Sequence, residues 1–434
     1  MPRSAWAKPI EALPNGEGAG MEMGWSEADL AWRDEVREFL ERELTPELRR
    51  AGRLMTSVYA DHEASMEWQR ILHNRGWAAP AWPVEYGGCG WSLTRHYIFS
   101  RESILAGAPS LSPMGIRMVA HAIVRFGTPE QKAFFLPRIL TGEVFFCQGY
   151  SEPEAGSDLA ALSMSAVRDG EGDDAVLVLN GSKIWTTHAG EANWMFALVR
   201  TTRSERRQSG ITFLLLEMTS PGVTVRPLVM TSGEEIQNQV FFDQVRVPVS
   251  NVLGEIDDGW TVAKYLLEFE RGGAAVAPGL QVKAATLAER AATQRGPGGR
   301  PLLDDPSFAA RLADARVRAD VLEVLEFRTL AVLEAGGNPG AAASMLKILG
   351  TELSQRISEL ALEAAGPHGR VYQPHAAAPG GPVTEYTAPP DGYLSGQEWQ
   401  AVAPLFYLNN RAGSIYAGSN EIQRNILAKA VLGL

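Results

Sequence analysis

The spacing of apolar positions divides the chain into three textures. From Ser26, "SEADLAWRDEVREFLERELTPEL" opens with a Ser, has an acidic first turn and carries apolar residues at helical spacing up to a Thr-Pro pair. Similar patterns cover Met66–Asn74, Leu93–Ala106 and Pro129–Leu140, with the loop "PAWPVEYGGCGW" between them. Near Phe145 the period shortens. "DAVLVLNGSKIWTTHAGEANWMFALVRTT", "GITFLLLEM", "GVTVRPLVM" and "NQVFFDQVRVPVSNVLGE" are β-branched and aromatic runs cut by Asn-Gly, Ser-Gly and Pro-Gly turns. They predict an antiparallel β domain. After Gly254 the helical period returns in three long segments up to Gly366, and a last helix is expected from near Gly418 to the C-terminus. Between them lies the Pro/Gly-rich stretch "GPHGRVYQPHAAAPGGPVTEYTAPPDGYLSGQ", longer than an ordinary helix connection.

The expected organisation is a leader over 1–24, a helical domain over 25–145, a β-barrel domain over 146–253 and a helical bundle over 254–434 with an insertion at 366–397. The leader lacks an apolar signal-peptide core and reads as an extended or disordered segment. At 434 residues the chain has room for about three domains of ordinary size. Its 45% hydrophobic and 21% charged residues are those of a soluble globular protein.

A net charge of −11 argues against nucleic acid or an anionic membrane as the main partner, and no run approaches the roughly 18 apolar residues of a membrane span. Two cysteines, Cys89 and Cys147, are too few for a disulfide framework, so a reducing cytoplasm is the default expectation. Seven scattered histidines show no metal-ligand spacing, and no metal is expected.

"FCQGYSEPEAGSDLAA", Phe146 to Ala161, gathers polar and small residues where helices give way to strands. Composition alone leaves two readings, a solvated inter-domain loop or a surface for a flat polar ligand. Here the sequence resembles the acyl-CoA dehydrogenase family, whose first signature runs small-x-Ser/Thr-Glu-x-x-small-Gly-Ser/Thr-Asp. Gly149, Ser151, Glu152, Ala155, Gly156, Ser157 and Asp158 fit it, while Tyr150 stands where an aliphatic residue is usual. "WPVEYGG", "NGSKIWTTHAGEANW", "VRVPVSNVLGEIDDGW" and "IYAGSNEIQRNIL" are similar to further family segments and occur in the family's order. The resemblance covers about residues 26–434.

It implies an α+β multidomain fold: an N-terminal helical domain, a middle antiparallel β-barrel and a C-terminal four-helix bundle. FAD is expected between the last two, partly held by a neighbouring subunit of a homo- or hetero-oligomer, a dimer or tetramer. Gln148, Tyr150 and Ser151 are expected along the isoalloxazine ring, and Trp185 and Thr187 on its other side. Ser157 is expected to face the CoA arm, Arg271 to approach CoA, and Ser419 and Glu421 to hold the adenosine part of FAD. Many relatives send an Arg-x-x-Phe-Gly segment to the partner's FAD; "TQRGPGGRPLLDDP" offers Arg295 as the counterpart and lacks the aromatic.

The implied reaction removes an α-proton from an acyl-CoA thioester and a hydride from its β-carbon. It needs a carboxylate base and donors to the thioester oxygen. Many relatives carry the base at the position of Ala417, whose side chain cannot serve, although its peptide N–H can still donate to the thioester. A minority, including isovaleryl-type and steroid-catabolic actinobacterial members, carry the glutamate directly before the helix arginine, as in "LEFERGGAA" here. Glu268 and Glu270 lie about 200° apart on a helix, so only one can face a substrate, and the match selects Glu270. Gly272 and Gly273 leave room for a bulky acyl group or a close helix contact, and a branched, cyclic or steroid side-chain thioester is favoured.

The expected activity is therefore FAD-dependent formation of a trans-2-enoyl-CoA, with electrons passed to an electron-transfer flavoprotein. An oxidase, a non-catalytic or half-site subunit, and a DNA-associated member are the rivals. The acidic charge counts against the last.

Overall fold

The computed structural model describes residues 25–55, 61–271, 275–377, 383 and 386–434. The expected leader and parts of the Pro/Gly-rich insertion lie outside them. The chain begins with helices α1 (Glu27–Glu43), α2 (Pro46–Leu54), α3 (His62–Arg75), α4 (Leu93–Ala106), α5 (Ala120–Phe126) and α6 (Pro129–Thr141). Strands follow: β1 (Phe146–Gly149), β2 (Ser165–Asp169), β3 (Val176–Lys183), β4 (Trp194–Arg200), β5 (Ile211–Glu217), β6 (Val223–Leu228) and β7 (Gln237–Pro248). Helices α7 (Gly259–Arg271), α8 (Ala277–Thr293), α9 (Pro306–Glu334), α10 (Ala342–Ala365), α11 (Glu398–Asn410) and α12 (Asn420–Leu427) complete it. None of the described helices is long and apolar enough to cross a membrane.

The helix starts follow from local chemistry. Ser26 accepts from the Asp29 N–H while the Asp29 carboxylate takes the Ser26 N–H, a capping box that satisfies two donors otherwise left at the helix end. Thr128 and Gln131 repeat the device ahead of Pro129 at the head of α6. The Thr-Pro pair that ends the first helical pattern is itself the cap of α2, with Thr45 accepting from the Leu48 N–H.

The seven strands form one curled sheet of order β1-β4-β2-β3-β7-β6, with β5 on the other edge of β4. It is mainly antiparallel; β1 runs parallel to β4, and Ser165 of β2 makes a parallel register with Arg200. β1 arrives directly from the helical domain rather than through a hairpin, which accounts for its direction.

Period-two alternation along β4 and β5 divides their side chains between two cores. Phe196, Leu198, Ile211, Phe213 and Leu215 join the helical domain and α7 residues Val262 and Leu266. Met195, Ala197, Val199, Leu214 and Leu216 fill the interior of the sheet domain. A strand covered on both faces reads as a continuous apolar run, hence "GITFLLLEM". A third core joins α8, α9 and α10 around Leu287, Phe308, Leu322 and Leu360.

Several helical stretches, α2 and α5 among them, escaped the sequence pattern. Met114–Val119 is a π-helical turn leading into α5, and α11 contains Pro404. Proline removes a backbone donor inside a helix and so hides the signal; here buried packing of Ala401, Val402 and Leu405 holds the helix.

Candidate functional site

The first motif leaves β1 and turns back on itself at Glu152, whose backbone pairs with Ala155 in both directions. The buried Glu152 carboxylate accepts from Lys183 Nζ at 2.8 Å, the Ser163 N–H at 2.7 Å and the Met164 N–H at 3.0 Å. Lys183, the last residue of β3, also donates to the Tyr150 carbonyl at 3.2 Å. Burial works to raise the Glu152 pKa, but the Lys183 charge and the N–H donors together hold it below the ordinary carboxylate value.

Tyr150 is buried and turns its ring inward, edge-on to Phe196 and Phe213. Gln148 and Ser151 are half-buried, and Ser157 is exposed beside the Arg207–Asp158 ion pair.

The second motif lies alongside. The Ile184 N–H donates to the Ser151 carbonyl at 2.9 Å, which joins the two segments. The Thr186 and His188 N–H groups donate to the Asn238 and Ile236 carbonyls. Those of Trp185 and Thr187 alternate with them and find no acceptor among the described residues. Trp185 is 59% exposed and has a φ of 60°, a left-handed conformation that is uncommon for a bulky residue. Gln237 Nε2 donates to Thr187 Oγ1 at 2.9 Å and fixes that side chain. A large indole held outward in a strained conformation, beside two N–H groups with no acceptor among the described residues, suits the edge and face of a flat heteroaromatic ring such as isoalloxazine. The residues present therefore fit FAD.

A third group sits at the C-terminus. Ala417 and Gly418 are both left-handed, with φ of 54° and 76°. Gln423, buried on α12, donates through Nε2 to the Ala417 carbonyl at 3.1 Å and the Gly418 carbonyl at 3.3 Å, while its Oε1 accepts from Ser344 of α10 at 2.7 Å. The Ala417 N–H has no acceptor among the described residues. Ser419 caps α12, Asn420 is tied to Lys347 at 2.8 Å, and Glu421 stands exposed in the first turn. The Ser419 hydroxyl and the Glu421 N–H hold the Glu421 pKa below its ordinary value.

Glu270 and Arg271 occupy the last turn of α7; their side chains, and Gly272 and Gly273 beyond them, lie outside the described residues. The chain after that gap is held by Glu326 of α9, which accepts from the Val276 and Ala277 N–H groups at 2.7 and 2.9 Å and from the Tyr97 hydroxyl at 2.8 Å. Arg295 is apart from all of these, exposed after α8 and bonded to the Gly299 carbonyl of its own turn.

The structure thus joins Tyr150 and Ser151 to Lys183 and Ile184, the residues just before Trp185, pairs Gln148 with Phe196 of β4, and builds Ala417, Ser419 and Glu421 on the α10–α12 pair. Sequence reasoning assigned no role to Lys183, Gln237, Ser344, Gln423 or Glu326. Lys183 and Gln423 lie inside the matched motifs, but the partners Glu152 and Ser344 are distant from them in the chain.

Three family models match: acyl-CoA dehydrogenase N-terminal domain over residues 26–143, middle domain over 147–245 and C-terminal domain over 257–432. Acyl-CoA dehydrogenase IpdE1 of Mycolicibacterium smegmatis is 34% identical over 420 residues, 93% of this chain and 97% of that protein. IpdE1 of Mycobacterium tuberculosis is 36% identical over 380 residues, 86% of this chain and 90% of the relative. Among solved structures, the Tcur3481-Tcur3483 steroid ACAD matches at a TM-score of 0.77 and 28% identity, over 95% of this chain and 99% of that one. The ChsE4-ChsE5 complex of Mycobacterium tuberculosis matches at 0.75 and 30%, with the same coverage.

Proposed function

The chain belongs to the acyl-CoA dehydrogenase family, and on that premise we propose that it dehydrogenates a steroid-derived acyl-CoA thioester between its α- and β-carbons. It is an oxidoreductase whose cofactor is FAD. When bound, FAD supplies the acceptor for the β-hydride.

The observation that carries the mechanism is the free Ala417 N–H on a clamped turn. Loss of an α-proton moves negative charge onto the thioester oxygen, and a pre-aimed N–H stabilises that charge without reorganising. An alanine provides this donor as well as a glutamate does. Glu270 takes the α-proton: the α C–H bond breaks, its electron pair forms the new C=C bond, and the β C–H pair departs as hydride. Arg271 and Ser157 are assigned to the CoA arm. Gln148, the Tyr150 main chain, Ser151, Trp185 and Thr187 are assigned to the flavin ring, Ser419 and Glu421 to the adenosine part, and Arg295 to a neighbouring subunit's cofactor.

The steroid class is supported by the Tcur3481-Tcur3483 likeness, and pairing with a second, related chain by the ChsE4-ChsE5 likeness. An electron-transfer flavoprotein is the electron acceptor in this reading, and the cytoplasm its compartment, in keeping with two free thiols. The test is anaerobic mixing of the purified yellow protein with straight-chain, branched and steroid side-chain thioesters. The steroid thioester should bleach the flavin fastest and yield a product lighter by two hydrogens. Faster bleaching by a straight chain would refute the substrate class.

Ala417 also favours a second reading, a half-site subunit that acts only beside a catalytic paralogue. That subunit would emerge colourless when purified alone and would gain flavin on co-expression with its partner.

A further inference from the structure

We propose that Gln423 and Ser344 are positioning residues for the reaction: their buried clamp aims the Ala417 N–H at the thioester oxygen. This inference rests on the assignment of that N–H as the thioester donor.

Two consecutive left-handed residues precede α12. An alanine in that conformation costs about 1–2 kcal/mol relative to the right-handed form, so something must hold it. Gln423 does so through Nε2, which donates to both carbonyls of the pair. Its side chain is 1% exposed, and Ser344, which donates to its oxygen, is 4% exposed. The amide orientation is dictated from both ends: two carbonyls demand donors and the serine hydroxyl supplies the matching proton.

Gly418 completes the arrangement. A Cβ there would lie 2.7 Å from Gln423 Nε2, so the close approach needs glycine as well as the positive φ. Asn420 adds a second tie, accepting from Lys347 and donating to Thr351. Ser344, Lys347 and Thr351 follow one face of α10 at helical spacing, which makes α10 the rigid support for the turn. With both carbonyls turned toward Gln423, the Ala417 N–H is left without an acceptor among the described residues. Such a donor needs accurate placement: a displacement of about 1 Å can lower a rate about a hundredfold.

The test uses the FAD-loaded protein and a 3-thiaacyl-CoA labelled with ¹³C at the thioester carbonyl. Sulfur at the β-position prevents hydride transfer, so binding is read without turnover. Difference infrared spectroscopy reports the carbonyl stretch, which moves to lower frequency as hydrogen bonding to the oxygen strengthens. Gln423→Met keeps the length and removes both donors. It should retain flavin and bind the analogue, yet lose at least half of the wild-type shift. With a turnover substrate, kcat should fall about tenfold or more while KM changes less. Ser344→Ala should lose part of the shift and Ser344→Thr should restore it.

A full wild-type shift in Gln423→Met overturns the proposal. If Gln423→Met does not fold, Ser344→Ala decides: a reduced shift supports the clamp and an unchanged one overturns it. Absence of any shift in the wild-type protein would instead refute the assignment of the Ala417 N–H, and the clamp with it.

Discussion

Glu152 accepts four hydrogen bonds, from Lys183 Nζ, the Ser163 N–H and hydroxyl, and the Met164 N–H. It is buried, and these contacts join the first motif to the end of β3. Lys183 is fully buried, and removal of one member of a buried pair leaves an uncompensated charge. Glu152→Gln should therefore lower unfolding stability by about 3–5 kcal/mol in a denaturant titration. The pH dependence follows from the same contacts. The folded pKa of Glu152 is lowered from 4.5, so its contribution is complete above the unfolded value and is lost as pH falls through the folded one. Acid denaturation should begin earlier on a pH scale in the variant.

At the scale of elements, the connection between α7 and α8 is held from outside itself. Glu326 on α9 receives two N–H groups from the start of α8 and the Tyr97 hydroxyl from α4. Burial raises the Glu326 pKa above its ordinary value against those donors. Its effect on stability is therefore opposite in sign to that of Glu152: present at low pH and lost as pH rises through the folded value. Glu326→Ala strands two backbone donors and should cost about 2 kcal/mol or more. Because α7 ends with Glu270 and Arg271, the variant should also slow flavin bleaching, whereas Glu326→Gln, which keeps an acceptor, should recover most of both effects. The sequence hid this support. A glutamate in the middle of a long charged helix looks solvated, and only the packing of α4, α8 and α9 shows it buried. The same limit applies to Gln423, whose partner Ser344 is 79 residues away. Motifs were legible because their chemistry is local; the clamps were not, because long-range packing decides them.

Across the whole molecule, three textures in the sequence correspond to three packed regions. The helix, sheet and helix order was legible because the apolar period changes near Phe145 and Gly254. The sharing of β4 and β5 between two cores was less legible, since a doubly covered strand shows no alternation. The parallel course of β1 and the proline-bearing α11 left no clear periodic signal. Within this frame we propose that the proton-abstracting carboxylate is Glu270 and that Ala417 contributes only its peptide N–H. The most direct measurement is anaerobic stopped-flow bleaching of the FAD-loaded protein by a steroid side-chain acyl-CoA, wild type against Glu270→Gln, with flavin content measured in both. Glu270→Gln is expected to stay yellow, bind the thioester and lose bleaching by about three orders of magnitude or more, the order expected for loss of a general base. Bleaching at the wild-type rate in Glu270→Gln would contradict it.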